Sequence, residues 1–568
     1  MTIKSQIERE LARAFVACGL DKASATVASS NMAGVDYQCN ACFALAKLMG
    51  TNPLDLCNRV AAAYTGKTAL VTVSAPGFLN FAVSQTALTK NANKVLADGR
   101  IPLERQRART VFFDYGGANI AKELHIGHLR SPIVGEALRR AFNAFGYNTI
   151  GDTHLGDFGT HMGLIIAELE RMGQLREDAI TLKLLGEIYP RASARKETDE
   201  PFRNRAKEIV LFLQRQTEPF YGIWQRIKAV SLPAIKKNYD RLGCTFDTFE
   251  GDNCEYAEDA IRALKKGSTY RDNGCLLMNV AEMGEHIPQT DENGQVTYKN
   301  PMPPVMIQKA DGGVLYMAGD FSTIYRRHRK YAADEYIYVV DARQSLHFTQ
   351  LFRGAKKGGL VPSRTKFVHV ALGTVNGKDG KPFKTRSGGT VKLEEVIDEV
   401  VDAARTRLAE SGRSTDPATA ERIELAALKF ADLSNNVRRD YIFDPERFTD
   451  FNGKTGPYLL YTVARINSIL AKAGDFNAKL GVVGREILAK VVKMSDAYSN
   501  VVANYTLNPL TDAMFDLAQE FNNFYGQTNI LKEQDERVRA ELLALCMVVK
   551  RALEFGLNTL AIDPVESM

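Results

Sequence analysis

The chain has 568 residues, of which 45% are hydrophobic and 25% are charged, and its formal net charge is +6. This length suits about three to four folded domains, and the composition argues against disordered and fibrous proteins. The sequence contains no apolar run long enough to span a bilayer, and it opens into an amphipathic helix, so we expect a cytoplasmic protein with no membrane partner.

The eight cysteines are irregularly spaced, which favours reduced thiols over a disulfide framework. Cys39 and Cys42 form a CxxC pair, but the second pair that a zinc site needs is missing at ligand spacing. We therefore expect core cysteines and no structural metal. The mildly basic net charge permits a polyanionic partner without requiring one.

The first region, residues 1–109, begins with a helical pattern. Two alternating runs, 69–73 and 78–83, flank the sequence Ser74-Ala-Pro-Gly77 and predict a β-hairpin. This combination is typical of a small α+β domain. The polar, basic segment 98–109 is expected to be a linker.

From residue 110 onward, short apolar runs alternate with helical patterns. The predicted strands are 110–113, 149–153, 336–341 and 367–372. This alternation predicts a doubly wound parallel sheet in a domain over 110–393, with ligands at the carboxyl ends of the strands. An irregular stretch from about 168 to 301, with a hairpin-like turn at 289–295, predicts an insertion that splits this domain. Residues 394–568 are nearly all helical in pattern and predict a separate helical domain.

A His-x-Gly-His element, His125 to His128, lies where a strand should turn into a helix. A helix N-terminus offers unpaired N–H groups to phosphates, two imidazoles can donate to the same phosphates, and Gly127 permits close approach. Pro132 is tolerated because it falls in the first helical turn. The element therefore indicates ATP chemistry, although the bare motif is equally well explained by polar residues at a helix end.

Two further loops are candidates for ligand contacts. The segment His154–Gly163 follows a predicted strand and opens a helix, which exposes N–H groups. The segment Gly377–Gly389 carries four cations and could stabilise a pyrophosphate leaving group, or it could be a solvated hairpin. The sequence contains no GxxxxGK[ST] P-loop and no GxGxxG after a strand, which argues against kinase-like and dinucleotide-binding proteins.

Four motifs in order resemble the motif set of arginyl-tRNA synthetases, which are class I aminoacyl-tRNA synthetases. They are Asn119-Ile-Ala-Lys122, His125-x-Gly-His128-Leu-Arg-Ser131, Gly156-Asp157-x-Gly159 and Phe383-Lys-Thr-Arg-x-Gly388. Segment 75–80 is similar to the family's N-terminal tRNA-binding domain, and segments 440–444 and 455–458 are similar to its anticodon-binding domain. The resemblance covers nearly the whole chain. It implies a multidomain α/β fold with a split, Rossmann-like catalytic domain.

The resemblance also implies a reaction. ATP, with Mg²⁺, and L-arginine would form arginyl-adenylate, and the arginyl group would then pass to the 3′-terminal ribose of tRNA-Arg. The residues at the family's ATP-binding positions are His125, Gly127, His128, Lys384, Thr385 and Arg386. The two histidines would stabilise the transition state, and Lys384 and Arg386 would hold the departing pyrophosphate. Relatives are typically monomers that need bound tRNA before they activate arginine.

The usual class I lysine-rich loop is degenerate in this chain. Pro382 and Thr385 occupy its two lysine positions, as in a subset of the family. In that subset, the lysine that matches Lys122 is thought to compensate. The resemblance therefore implies a catalytic role for Lys122.

Arginine recognition needs a carboxylate, because a guanidinium is always charged and offers a planar fork of donors. The residues that match the family's arginine-binding positions, together with a second acid, are Asp114, Asn119, Tyr316, Asp320 and Gln344. The resemblance assigns Tyr316 and Asp320 to the guanidinium, and Asn119 and Gln344 to the α-amino and carboxylate groups. Asp114 is the second acid, at the strand end.

In the helical region, Tyr458, Tyr461 and Arg465 are spaced i, i+3 and i+7. Such a stripe usually belongs to a core, but similarity to the family's anticodon-binding helix implies stacking on RNA bases. Asn80 also matches a tRNA-binding position. The basic run 326–330 could contact the acceptor stem or form a solvated helix face.

Two alternatives remain at this point. A synthetase for another amino acid would share the ATP-binding element, although an acidic substrate would need cations where Asp114 and Asp320 lie. A tRNA-binding paralogue without catalysis would be favoured by loss of His125, His128 or the basic loop, and all of these are present.

Overall fold

A computed structural model describes residues 1–251, 256–282, 287–290, 296–299, 302–381, 392–410 and 416–567. The first elements are α1 (Ile3–Ala17), β1 (Ala28–Ser29), β2 (Tyr37–Cys39), α2 (Ala41–Met49), α3 (Pro53–Ala63), β3 (Ala69–Ser74), β4 (Phe78–Val83) and α4 (Gln85–Asp98). The strands form an antiparallel sheet in the order β1-β2-β4-β3. The predicted hairpin is confirmed, because Ser74 pairs with Phe78. Cys39 and Cys42 are buried in the core of this region.

The central region alternates strands and helices. Its elements are β5 (Thr110–Asp114), α5 (Arg130–Ala144), β6 (Asn148–Asp152), α6 (Thr160–Arg171), α7 (Leu182–Thr198), α8 (Glu200–Gln214), α9 (Phe220–Arg241), α10 (Ala257–Ala263), β7 (Tyr270–Asp272), β8 (Cys275–Met278), β9 (Ile287–Thr290), β10 (Val296–Lys299), β11 (Val305–Gln308), α11 (Tyr316–Tyr331), β12 (Glu335–Asp341), α12 (Ser345–Lys357), β13 (Lys366–Leu372) and β14 (Val375–Asn376).

A four-stranded parallel sheet in the order β13-β12-β5-β6 organises this region. Its strands are the four predicted from sequence, and their ends differ from the prediction by at most one residue. Phe113 of β5 and Ile337 and Val339 of β12 are fully buried, as expected for a parallel sheet covered on both faces. The predicted fold is therefore confirmed.

The insertion returns to the end of β6 after three helices, α7 to α9. The N–H of Leu155 donates to the carbonyl of Glu250 at 3.0 Å, and Asp152 forms an isolated bridge with Thr248. These contacts place the returning segment beside the carboxyl end of the sheet. The predicted hairpin near residue 290 is present as the antiparallel pair β9 and β10, while its turn, 291–295, lies outside the described residues.

The last region is helical, as predicted. Its elements are α13 (Leu393–Glu410), α14 (Pro417–Leu433), β15 (Tyr441–Ile442), α15 (Pro445–Phe448), α16 (Gly456–Ala473), α17 (Arg485–Asn504), α18 (Asn508–Gln527) and α19 (Glu536–Thr559). The two-residue β15 pairs in parallel with β14 of the central region, a contact that the sequence pattern does not predict. In the described part of the chain, no helix has the length and apolar character needed to cross a bilayer.

A buried guanidinium joins the start of α5 to the helical region. Arg130 is 3% exposed and forms an ion pair with Asp432 of α14, with Nε 3.2 Å from Oδ2. Its Nη1 donates to the carbonyls of Gly373 and Arg439, at 2.7 and 3.1 Å. The hydroxyl of Tyr441 donates to the same carboxylate. One side chain therefore connects α5, the end of β13 and the segment that precedes β15.

Asp432→Asn should lower the free energy of unfolding by about 3–5 kcal/mol, because it leaves the buried charge of Arg130 without a counter-ion. Denaturant unfolding of the variant and the wild type measures this difference. Asp178→Asn is the matched control, since its ion pair with Arg176 is solvent-exposed and its loss should not shift the transition. Equal transitions for Asp432→Asn and wild type would contradict the expectation.

Candidate functional site

A cavity of about 560 Å³ opens at the carboxyl edge of the parallel sheet. All five residues predicted to bind arginine line it: Asp114, Asn119, Tyr316, Asp320 and Gln344. They come from β5, from the loop that follows β5, from α11 and from the turn before α12. This edge is where parallel sheets commonly place their ligands.

Helix α11 carries two of these residues on one face, because Tyr316 and Asp320 are one turn apart. Tyr316 is 57% exposed, and its ring lies against Gly159. Gly159 has a φ of +95°, and a Cβ there would be 2.9 Å from the Tyr316 hydroxyl oxygen, so this position favours glycine. The loop after β6 thereby shapes the wall of the cavity.

Asp320 has a histidine neighbour that the sequence analysis missed. Nε2 of His347 lies 2.8 Å from Oδ2 of Asp320, and both residues line the cavity. Burial opposes protonation of His347, but the hydrogen bond and charge of Asp320 outweigh it and raise the His347 pKa above its usual value. The sequence did offer a signal for His347. It lies three residues after Gln344, a predicted ligand, and both residues closely follow β12.

Asp114 lies beside a fully buried arginine, Arg327 of α11. Nη1 of Arg327 donates to Oδ2 of Asp114 at 2.6 Å, and Nη2 donates to Oδ2 of Asp152 at the end of β6. Burial alone would disfavour the charged guanidinium, but the two carboxylates outweigh it and raise the Arg327 pKa. The basic run 326–330 was considered as an RNA contact. For Arg327 this is corrected, because its side chain has no exposed surface.

Asn119 is held against the loop that follows β6. Its backbone forms an isolated parallel bridge with Gly156, and the N–H of Ile120 donates to the carbonyl of Gly156 at 3.2 Å. A Cβ at position 156 would collide with Oδ1 of Asn119, so only glycine leaves room for the amide. The two predicted ligand loops therefore pair with each other at the cavity edge.

His125 precedes a single 3₁₀ turn, Ile126–His128, which ends at His128 and leads into α5. Nδ1 of His125 accepts a hydrogen bond from the N–H of Gly127, and Nδ1 of His128 accepts one from the N–H of His125, both at 3.1 Å. A ring nitrogen that accepts carries no proton, so each neutral ring has its proton on Nε2. The predicted helix start is confirmed, and Pro132 lies in the first turn of α5.

Both imidazoles are held in the neutral form. Burial lowers the His128 pKa to about 3, helped by the charges of His125 and Lys122, and burial and Lys122 also lower the His125 pKa. The two ring centroids are 4.0 Å apart. At neutral pH the pair therefore presents two Nε2–H donors without adding positive charge of its own.

Lys122 lies outside the cavity at the sheet edge, in another cavity of about 590 Å³. Its Nζ is 4.1 Å from the ring centroid of Tyr189 in α7, a cation–π contact with the insertion. Lys392 lies in the same cavity, and its Nζ is 2.9 Å from a carboxylate oxygen of Glu123.

The predicted residues of the basic loop, Lys384, Thr385 and Arg386, lie outside the described residues. The chain that follows them returns to the histidine element. The N–H of Leu393 donates to the carbonyl of Leu124 at 2.8 Å, and Lys392 forms an isolated bridge with His125.

The predicted RNA-binding residues differ in accessibility. Tyr458, Tyr461 and Arg465 form a half-buried stripe on α16. Arg465 donates to Oδ1 of Asn522 at 2.6 Å and lies 4.5 Å above the ring of Tyr461. Asn80, by contrast, is 4% exposed and its amide bonds to Gln38 and Ser74, so this structure does not present it to a partner.

Three family models match the chain. They are "Arginyl tRNA synthetase N terminal domain" over residues 1–83, "tRNA synthetases class I (R), catalytic domain" over residues 91–445 and "DALR anticodon binding domain" over residues 459–568. Among curated proteins, the chain is 35% identical to an arginine–tRNA ligase of Agathobacter rectalis, with 99% of each chain covered. It is 36% identical to one of Alkaliphilus oremlandii, with 97% of each covered.

Solved structures show the same fold. An arginyl-tRNA synthetase of Plasmodium falciparum is similar with a TM-score of 0.82 at 23% identity, covering 100% of this chain and 98% of that one. The enzyme of Thermus thermophilus has a TM-score of 0.80 at 22% identity, with 100% of both chains covered.

Asp320→Asn should return the His347 pKa toward its usual value of about 6.5 or below it, because the variant removes the charge that favours the imidazolium. The group with the raised pKa is the histidine, so the ion pair stabilises the fold at low pH and is lost as the pH rises through the His347 pKa. Histidine NMR titration measures it. His369, which bonds to the carbonyl of Val340, should titrate identically in both proteins. An unchanged His347 titration would contradict the pairing.

Proposed function

This chain belongs to the arginyl-tRNA synthetase family, and we propose that the cavity at its sheet edge binds L-arginine while the paired histidines bind the phosphates of ATP. The chain is accordingly an arginine–tRNA ligase. The observation that carries the assignment of residues is that one cavity gathers two acids, two carboxamides and an exposed tyrosine ring.

The polar groups of the cavity suit the two ends of arginine. Asp320 is the acceptor for the guanidinium, because its carboxylate can take two parallel N–H bonds, and Tyr316 lies one helical turn away. Asn119 and Gln344 supply the donors and acceptors that an α-amino acid needs. The Asp114 carboxylate is held in place at the cavity wall by its ion pair with Arg327.

The histidine pair suits the triphosphate. Their Nε2–H donors can both point at phosphate oxygens, and the neutral rings need no proton exchange to do so. ATP enters with Mg²⁺ as part of the substrate, since that ion is usually held largely by phosphates and water.

Two transfers complete the reaction. In the first, a carboxylate oxygen of arginine attacks the α-phosphorus, an O–P bond forms, and pyrophosphate leaves with the old bridging oxygen. In the second, a hydroxyl of the terminal tRNA ribose attacks the arginyl carbonyl carbon, loses its proton, and AMP leaves. Both steps depend on positioning and on donors for the developing charge, which the asparagine, glutamine and histidine side chains provide.

Lys122 is the cation that we assign to the leaving pyrophosphate in place of the missing loop lysines. It lies three residues before His125. Its ammonium contacts the Tyr189 ring and has no carboxylate partner among the described residues. The roles of Lys384, Thr385 and Arg386 stay predictions.

The stripe on α16 is our candidate anticodon contact. Arg465 is held by Asn522 above the Tyr461 ring, which gives a preformed cation and aromatic surface for an unpaired base. A tRNA contact of Asn80 stays a prediction. The monomeric state, the cytoplasmic location and the domain boundaries 1–109, 110–393 and 394–568 stay predictions.

The assignment is tested by amino-acid-dependent exchange of pyrophosphate into ATP, measured with and without total tRNA. We expect exchange with arginine and not with the other amino acids. Exchange with a different amino acid would replace the arginine assignment. No exchange under any condition, from folded protein that still binds tRNA, would favour a binding-only paralogue.

Lys122→Ala should slow single-turnover adenylate formation on the order of a hundredfold while leaving arginine binding within about twofold, because the ammonium acts on the leaving group and not on arginine. Rapid quench kinetics and an arginine titration measure the two quantities. Lys183→Ala is the matched control, since Lys183 lines the same cavity on the insertion side and has no assigned role. Equal losses in rate and binding would contradict the assignment.

A further inference from the structure

A row of polar side chains crosses the parallel sheet at the level of the arginine cavity. Asp152 of β6 pairs in register with Asp114 of β5, Asp114 pairs with Tyr338 of β12, and Tyr338 pairs with His369 of β13. Register partners in a sheet point to the same face. The row is therefore a polar band in a sheet whose neighbouring positions are apolar, such as Phe113 and Ile337.

Three members of this row have partners. Arg327 binds both Asp114 and Asp152, and a ring nitrogen of His369 lies 3.1 Å from the carbonyl of Val340. Tyr338 differs. It is 4% exposed, and its hydroxyl has neither solvent contact nor a hydrogen-bond partner among the described residues.

The Tyr338 side chain lines the arginine cavity together with Asp320 and Arg327. Its ring packs against Phe348 and Phe352, with centroids 5.1 and 5.3 Å away, and this packing fixes the position of the hydroxyl oxygen. Arg327 Nε is also without a hydrogen bond, but the carboxylate of Glu250 lies 4.0 Å from it. The charges of Arg327, Asp114 and Asp320 act on the Tyr338 hydroxyl, but among the described residues none of them makes a hydrogen bond with it.

A buried hydroxyl without a partner costs free energy, and phenylalanine would fill the same space without that cost. Its presence beside a substrate cavity is explained if the substrate supplies the missing partner. A guanidinium offers five N–H donors, of which a single carboxylate accepts two in the bidentate arrangement, so donors remain for a neighbouring oxygen.

We infer that the Tyr338 hydroxyl oxygen accepts a hydrogen bond from the guanidinium of bound arginine, which makes Tyr338 a specificity-determining residue. The inference rests on the proposed assignment of the cavity to arginine. Tyr338 contacts the guanidinium from the sheet, whereas Tyr316 and Asp320 contact it from α11, so the guanidinium is held from two directions.

The test is Tyr338→Phe, which removes only the hydroxyl. The arginine KM in pyrophosphate exchange should rise on the order of tenfold, because a site built to hydrogen-bond its substrate loses that contact, while the ATP KM stays unchanged. The midpoint of thermal unfolding should stay the same or rise, because an unpaired buried group has been removed.

Tyr336→Phe is the matched control. Tyr336 lies two residues earlier on the same strand face and is fully buried, but its hydroxyl bonds to His328 at 3.1 Å and it does not line the cavity. This variant should lower the unfolding midpoint and leave the arginine KM unchanged. The two tyrosines should therefore show opposite patterns.

Inhibition of the exchange by agmatine and by ornithine identifies the end of the substrate that is contacted. Tyr338→Phe should weaken inhibition by agmatine, which keeps the guanidinium, and not by ornithine, which lacks it. The reverse pattern, an unchanged arginine KM, or a fall in stability with equal losses for both substrates would overturn the inference. A wild-type protein without arginine-dependent exchange would overturn the proposed function and this inference together.

Discussion

The geometry of the site depends on one buried cation, Arg327. Its guanidinium lies at the carboxyl ends of β5 and β6, where it binds Asp114 and Asp152, and its Cζ is 4.8 Å from the ring centroid of Phe112. A fully buried guanidinium is tolerated only when carboxylates compensate its charge, so α11 cannot shift relative to the sheet without separating opposite charges in a low-dielectric interior. Because α11 also carries Tyr316 and Asp320, the same interaction sets their distance from the sheet.

A second buried guanidinium, that of Arg130, connects the sheet domain to the helical region. Arg130 lies two residues after His128 and binds Asp432, while its neighbour Ser131 donates to the carbonyl of Val339 at 2.6 Å. The start of α5 is thereby tied both to β12 and to the helical region. The segment that carries the two histidines and the helix α14 are consequently joined by one buried ion pair.

Much of this arrangement could be predicted from the sequence, and most of the failures concern side chains whose surroundings come from residues far away in the sequence. The four strands of the parallel sheet were predictable because buried parallel strands are short apolar runs, and the histidine turn because Pro132 and the strand before it restrict where a helix can begin. Arg327 was placed on a surface because its neighbours are basic, and its burial depends on Asp114 and Asp152, which lie far away in sequence.

The surroundings of other side chains were also not predictable, because they depend on residues far away in the sequence. Asn80 looked available because a motif identifies the position and not its exposure, and in the folded sheet Gln38 and Ser74 occupy its amide. His347 and Tyr338 escaped notice because the environment of each is made by contacts between elements. The β14 and β15 pairing was missed for another reason, since two residues are too short a run to carry a periodic signal.

The two carboxylates of the cavity, Asp114 and Asp320, differ in whether they can give up their present counter-ion. Asp114 is matched by Arg327, and a guanidinium keeps its charge at every pH at which proteins fold, so that partnership is permanent. Asp320 is matched by His347, and an imidazolium can release its proton to the solvent without any side chain leaving its place. Of the two carboxylates, therefore, Asp320 is the one that can exchange its counter-ion for an incoming cation, and Asp114 is the one that cannot.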